Sequence, residues 1–273
     1  MPHISRHFED KELVYAWFDA MHTRIDLLLW SNHHTCDELI QCIDAISRET
    51  ARIEQMGSRF RPDSEVSRLN ATKAGTWCNL SYELCRLLDD CIDYSKQTGG
   101  LFDITASLHS SGRNCTDKFE TDIRLCRVRK HTEDVRIDLS GYLKGYALGH
   151  AVSLARQNGI QNGLLNFGNS SIYALGKHPE GGKWPIACHK HPERRYLLSN
   201  LCLTTSGNET EQRRHIIHPL TGEYITGEKE ISVITRLPEE GEVMSIVQFI
   251  QTYSSIQTQT SDQHKQEQTL AFG

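Results

Sequence analysis

In Asp138-Leu139-Ser140-Gly141-Tyr142-Leu143-Lys144-Gly145, an acid ends an apolar run, a glycine permits close backbone approach, and a lysine falls in the first turn of the next segment. A helix starting there would offer free N–H groups and a positive dipole end to an anion, and Lys144 would add a full charge. Those parts suit a phosphate or pyrophosphate. The same residues also read as a helix capped by Asp138 with a solvated Lys144, because the segment is neither a Walker sequence nor GxGxxG. A second group is Thr204-Thr205-Ser206-Gly207, with His215-Ile216-Ile217-His218-Pro219 further along. In an extended chain the two histidines face opposite sides, so shared metal ligation is disfavoured, and each is either a general base near neutral pH or a backbone-bonding residue. A third group, Gly99-Gly100-Leu101-Phe102-Asp103, sets an aromatic ring and a carboxylate on a turn. Taken alone it is a loop with a core phenylalanine. His178, His189 and His191 do not match structural zinc spacings.

These residues need elements to position them. The alternation Arg24-Ile25-Asp26-Leu27-Leu28-Leu29-Trp30 reads as a strand, and apolar positions at three- and four-residue spacing from Asp37 to Met56 read as an amphipathic helix. Phe60 to Glu65 supplies a turn and cap before Val66 to Asn70, and Ser81 caps a second helix that Gly99-Gly100 stops near Thr98. A strand Val135 to Leu139 leads through a glycine-flanked turn into a helix from about Tyr142 to Gln157. Further strands are expected as a pair around Gly168 between Ile160 and Gly176, at Trp184 to Cys188, at Leu197 to Thr205 and at Ile231 to Arg236. Helices early and strands late predict an α+β fold, mixed or antiparallel sheets with packed helices. One domain over residues 1–257 and a polar, disordered tail over 258–273 are expected.

Composition narrows the function classes. The 273 residues are 38% hydrophobic, enough for a sizeable core, and 30 Lys+Arg against 35 Asp+Glu leave no basic field to hold nucleic acid. No apolar run approaches the roughly 18 to 20 residues of a membrane helix. The start, Met1-Pro2-His3-Ile4-Ser5-Arg6, has no signal-peptide core or lipobox, and nine cysteines without a CxxC pair fit reduced thiols, so a cytoplasmic protein is expected.

Taken in order, the segments resemble the ApbE-type FAD:protein FMN transferases. That family reads Met-Gly-Thr, then Ser-x-Tyr with a following Ser and Leu-Asn block, T-G-G-x-F-D, an Asp block ending K-G-(Tyr/Phe)-(Ala), N-x-G-G, (Thr)-S-G, H-I-I-D-P-x-T-G and a late A-D-A-x-x-T. The chain has Met21-His22-Thr23, Ser58-Arg59-Phe60 with Ser64 to Asn70, Gly99 to Asp103, Asp138 to Ala147, Asn166-Phe167-Gly168-Asn169, Thr205-Ser206-Gly207 and His215 to Pro219 with Thr221-Gly222.

The resemblance implies an ApbE-like fold and a Mg²⁺-dependent cleavage of the FAD pyrophosphate, with FMN passing to a Thr or Ser hydroxyl of an acceptor protein and AMP leaving. It implies FAD contacts at Met21, Phe60, Leu101, Phe102, Asp103, Asp138 and Lys144, a metal-binding backbone carbonyl at Gly141, and activation of the acceptor hydroxyl by His215. Three departures bear on mechanism: His218 replaces the Asp of H-I-I-D-P, Asn169 replaces the second Gly of N-x-G-G, and Met244 and Gln248 stand in place of the late Asp and Thr. A weak or altered Mg²⁺ site is therefore expected, because Mg²⁺ usually keeps an anionic protein ligand, and Glu242 could supply one only with a two-residue shift of register. A non-catalytic FAD-binding paralogue and an FAD pyrophosphatase are the alternatives.

Overall fold

The structure is a computed structural model, and it describes residues 2–8, 10–106, 115–187, 193–208, 216–226 and 230–252. Its frame is a seven-stranded sheet in the order β1-β2-β3-β7-β8-β11-β12, with each neighbouring pair antiparallel. The strands are β1 (His3–Phe8), β2 (Lys11–Ala20), β3 (Thr23–Ser31), β7 (Asn162–Phe167), β8 (Ser171–Leu175), β11 (Leu201–Gly207) and β12 (Glu230–Thr235). The α+β expectation holds. The early part of the chain, however, contributes a three-stranded meander before any helix. β1 carries polar, exposed residues at a sheet edge, so it lacks the apolar alternation by which a strand is recognised.

Between β3 and β7 the chain inserts α1 (Cys36–Gly57), α2 (Glu65–Ala71), α3 (Tyr82–Gln97) and α4 (Leu143–Gln157). The cap chemistry explains where they start. Thr35 and Glu38 form a capping box on α1, and the hydroxyls of Ser64 and Ser81 accept the N–H groups of Ser67 and Leu84. Leu39, Ile43, Ile46 and Ile53 of α1 turn toward the inner sheet face of Val14, Ile25, Leu27 and Leu29, and together they make the main core. β4 (Trp77–Asn79), β5 (Phe119–Asp122) and β6 (Arg127–Lys130) form a small separate sheet in the order β4-β6-β5. On the outer face of the large sheet, β9 (Trp184–Ala187) and β10 (Arg195–Leu198) lay Trp184, Ile186 and Leu198 against Trp30, Ala174 and Leu203.

Three expected strands differ in detail. Val135 to Leu139 pairs with no strand among the described residues, and the Asn70 side chain satisfies the backbone of Ile137 instead: Ile137 N–H donates to Oδ1 at 2.7 Å and Nδ2 donates to the carbonyl at 2.9 Å. Leu197 to Thr205 is broken into β10 and β11 at Asn200, whose φ is 54°. Cys188 lies outside the described residues, as does all of 258–273.

A last helix, α5, runs over residues 238–252 and packs on α4 along Gly141, Gly145 and Gly149. A Cβ at Gly145 would sit 2.6 Å from both Glu242 Cγ and the Pro238 carbonyl oxygen. Real atoms do not approach so closely, and the backbone atom cannot swing aside. Gly145→Ala is therefore expected to destabilise the chain by about 1–3 kcal/mol, the usual cost of overpacking, measured as a lower denaturant midpoint with unchanged slope.

Arg52 joins α1 to α3. Its guanidinium bonds Glu83 at 2.7 and 2.8 Å and Glu49 at 2.8 Å, while His150 of α4 meets Glu49 at 2.9 Å. Arg52 holds Glu49 down to about 2, against the opposing effect of burial. The folded value lies below the unfolded one of about 4.3, so this contribution is complete above that pH and is lost as pH falls toward 2. Acid unfolding of Arg52→Leu should accordingly show a flatter loss of stability over that window than the parent chain.

Candidate functional site

The sequence segments singled out above converge at the start of α4. The turn between β2 and β3 is Met21-His22, with φ of 53° and 59° at its two central residues. Both are left-handed, the twist that a two-residue hairpin demands and that a side chain adopts only with strain. The His22 ring lies 5.1 Å from the exposed ring of Phe60, and the Arg59 guanidinium stands 4.2 Å over that same ring. Arg59 Nε then reaches Asp138 Oδ2 at 2.7 Å. On the other side of Met21-His22-Thr23 lies the Gly168-Asn169 turn of β7 and β8. A Cβ on Gly168 would come within 2.4 Å of Thr23 Oγ1, and Gly168 also needs its φ of 68°.

Asp138 closes the approach to α4. Its Oδ1 accepts the Ser140 N–H at 2.9 Å and the Ser140 hydroxyl at 2.5 Å, and its own N–H donates to the Ile104 carbonyl at 2.8 Å. The helix itself has no side-chain cap: Tyr142 occupies the N-cap position and makes no capping bond. The Leu139 carbonyl takes the N–H groups of Tyr142 at 2.9 Å and Leu143 at 2.8 Å, which leaves those of Lys144 and Gly145 for water or for an anionic ligand.

Lys144 points at Glu242, Nζ to Oε1 at 3.5 Å. Glu242 is 4% exposed and accepts the Ser171 hydroxyl at 2.5 Å. One turn on, Ser245 is fully buried and bonds Ser206 of the Thr205-Ser206-Gly207 segment at 2.7 Å. Met244 is half-buried and Gln248 exposed. The inward-facing acid and hydroxyl of α5 are thus Glu242 and Ser245, and the Met244 and Gln248 register expected from the family motif lies on the other side of the helix. The sequence offers Glu242 only with a two-residue shift of the motif, and its i, i+3 spacing from Ser245 within an otherwise apolar run is the signal that favours that shift.

Other expected site residues are placed differently. Phe102 is 3% exposed and packs among Tyr94 and Tyr142. The Asp103 carboxylate, 1% exposed, is taken by Lys118 Nζ at 2.9 Å and by Thr105. Burial leaves neither side chain open to a ligand, so from this turn only the half-buried Leu101 and the backbone face outward. Leu101, Ile231 and Ile246 pack against a cluster of Ile216, Ile225, Phe249 and Ile250, which brings the histidine segment against α5. His215 lies outside the described residues. His218 is described: its Nδ1 accepts the Leu220 N–H at 3.3 Å, its N–H donates to the Glu223 carbonyl, and burial lowers its proton affinity. It fills the turn as an acceptor, the service an Asp gives in an Asx turn. Among the described residues no cysteine is in a disulfide, and no helix is long and apolar enough to cross a membrane.

The model of the ApbE family matches residues 21–269. The chain belongs to the ApbE family. Two FAD:protein FMN transferases are similar to it: one from Chlamydia muridarum, 28% identical over 198 residues and 62% of each chain, and one from Chlamydia trachomatis serovar D, 28% identical over 217 residues, 68% of this chain and 67% of the relative. The match spans less than two thirds of the first relative's length. Among solved structures, the ApbE protein of Thermotoga maritima superposes with a TM-score of 0.77 at 19% identity over 90% of this chain and 89% of that one. The apo flavinyl transferase ApbE of Pseudomonas stutzeri gives 0.75 at 18% over 88% and 84%. The fold of this ApbE chain is accordingly that of those proteins.

Proposed function

We propose that this ApbE-family chain transfers FMN from FAD to a Thr or Ser hydroxyl of an acceptor protein, releasing AMP. The observation that carries the reading is the convergence of Met21-His22, Phe60, Asp138, Lys144 and Glu242 on an uncapped helix start. It also agrees with what the two Chlamydia relatives are named for.

In this reading the Met21 side chain and the exposed Phe60 ring give apolar surface to a planar ring of FAD. The half-buried Leu101 is a further apolar contact in this reading. The pyrophosphate faces the Lys144 and Gly145 N–H groups at the start of α4 and the Lys144 ammonium, which together offset its charge. The acceptor hydroxyl oxygen forms a bond to the FMN phosphorus while the bond from that phosphorus to the oxygen retained by AMP breaks. The hydroxyl proton passes to a base, for which His215 is the candidate by its place in the His-Ile-Ile-His segment. Positioning and charge neutralisation carry most of such a transfer.

The donors around Glu242 suit a hard divalent cation, being all oxygen: its carboxylate, the Ser171 hydroxyl bonded to it, and the Ser245 hydroxyl, which meets the Glu242 carbonyl and the Ser206 hydroxyl. Glu242 with the Gly141 carbonyl would hold Mg²⁺ there, and the ion when bound would supply positive charge to the phosphates. Lys144 already lies against Glu242, so the carboxylate is not left as a bare buried charge without an ion.

Mass spectrometry of an acceptor protein incubated with this chain, FAD and Mg²⁺ tests the reading. A gain of one FMN that disappears when the acceptor threonine is changed to alanine supports it, and an acceptor of unchanged mass counts against it. Replacement of FAD by FMN should give no transfer.

A further inference from the structure

Lys130, the last residue of β6, is 1% exposed. The Asn70 carbonyl oxygen at 2.8 Å is the hydrogen-bond partner of its ammonium, and among the described residues no carboxylate lies within ion-pair distance of it. Taking an ammonium out of water for one neutral acceptor is expensive, and a methionine would fill a strand-end core position at lower cost. Desolvation, with a smaller push from Arg136, accordingly lowers the proton affinity of Lys130. The cation holds a specific piece of backbone. Asn70, in the last turn of α2, has its side-chain amide clamped to both backbone groups of Ile137, which has no strand partner among the described residues. The next residue is Asp138, which receives Arg59 and Ser140 and leads into α4. The Lys130 carbonyl also accepts the Gly75 N–H at 2.8 Å, so both the ammonium and the backbone of Lys130 fix the segment leaving α2.

We infer that Lys130 is a positioning residue for the transfer: its ammonium fixes the Asn70 carbonyl, and through the Asn70 amide it sets the Ile137-Asp138 segment and the start of α4 against the pyrophosphate. The inference rests on the proposed reading of Asp138 and α4 as the FAD site. Lys130 touches no ligand in it.

The test uses the full chain with Lys130→Met, Asp138→Asn and the pair. In Lys130→Met the thermal midpoint is expected to stay near the parent value, since a buried, poorly paired charge is removed. The KM for FAD should rise by about tenfold, the effect of one lost hydrogen bond on a positioned contact. Amide exchange at Ile137 should quicken, Lys130→Arg should recover part of the KM, and the Lys130→Met and Asp138→Asn effects should combine to less than their product because they act on one unit. Lys130→Gln replaces the methionine variant if that chain does not fold, with the same outcomes. Parent KM in Lys130→Met beside an impaired Asp138→Asn would overturn the inference, as would effects that multiply fully. Asp138→Asn with unchanged FAD affinity and transfer would remove the reading of Asp138 itself, and the inference with it.

Discussion

Glu242→Gln should bind FAD in the presence of a chelator as well as the parent chain does, yet lose about 10²- to 10³-fold in Mg²⁺-dependent transfer, the range for removing one preorganised charge contact. Glutamine keeps the shape and the acceptor oxygen that the Ser171 hydroxyl uses, so the pocket stays filled. It removes the carboxylate that faces Lys144, and a cation left with carbonyl and hydroxyl oxygens binds poorly. Lys144 loses its counter-ion, but its side chain is 21% exposed and stays free to face the pyrophosphate, so affinity for FAD itself does not fall. Transfer rates against Mg²⁺ concentration, beside an equilibrium FAD titration, read both effects. A Mg²⁺ dependence identical to the parent's would place the metal elsewhere.

His215→Ala is expected to cut FMN transfer by about 10²- to 10⁴-fold, the usual worth of a general base, with FAD affinity little changed. His218→Ala should act mainly on stability. Its Nδ1 is occupied by the Leu220 N–H and its backbone N–H by the Glu223 carbonyl, so the ring organises the turn. Losing that one hydrogen bond costs about 1 kcal/mol. The pH sign comes from burial, which favours the neutral ring: the folded pKa lies below the unfolded value of about 6.5, so the stabilisation is present above that pH and fades as pH falls through the folded value. The parent should therefore lose stability below neutrality in a component that His218→Ala lacks. Abolished transfer in His218→Ala with a normal His215→Ala would reverse the roles.

The elements legible in the sequence are those with local causes. Ser81 caps α3 as its hydroxyl and the apolar spacing predict, and α1 matches its periodicity within a residue of each end. The features that were not legible depend on distant contacts. Asn70 supplies Ile137 with the partner that a neighbouring strand would have given, and nothing within Val135 to Leu139 reports this. β1 is held by its pairing to β2 rather than by apolar residues of its own. The side-chain flavin contacts expected of Phe102 and Asp103 give way to burial: Lys118, far along the chain and unremarkable by spacing, neutralises the acid from inside. Glu242 is obscured when a family motif is laid on the sequence in a fixed register, whereas the glycine groove of α4 selects which face of α5 turns inward.

The most direct measurement is AMP release against covalent flavin in one reaction containing this chain, FAD, Mg²⁺ and a threonine-bearing acceptor domain. Transfer predicts one AMP for each acceptor molecule that becomes fluorescent under denaturing conditions, and none without acceptor. AMP with free FMN and an unlabelled acceptor, or bound FAD with no AMP at all, would contradict it.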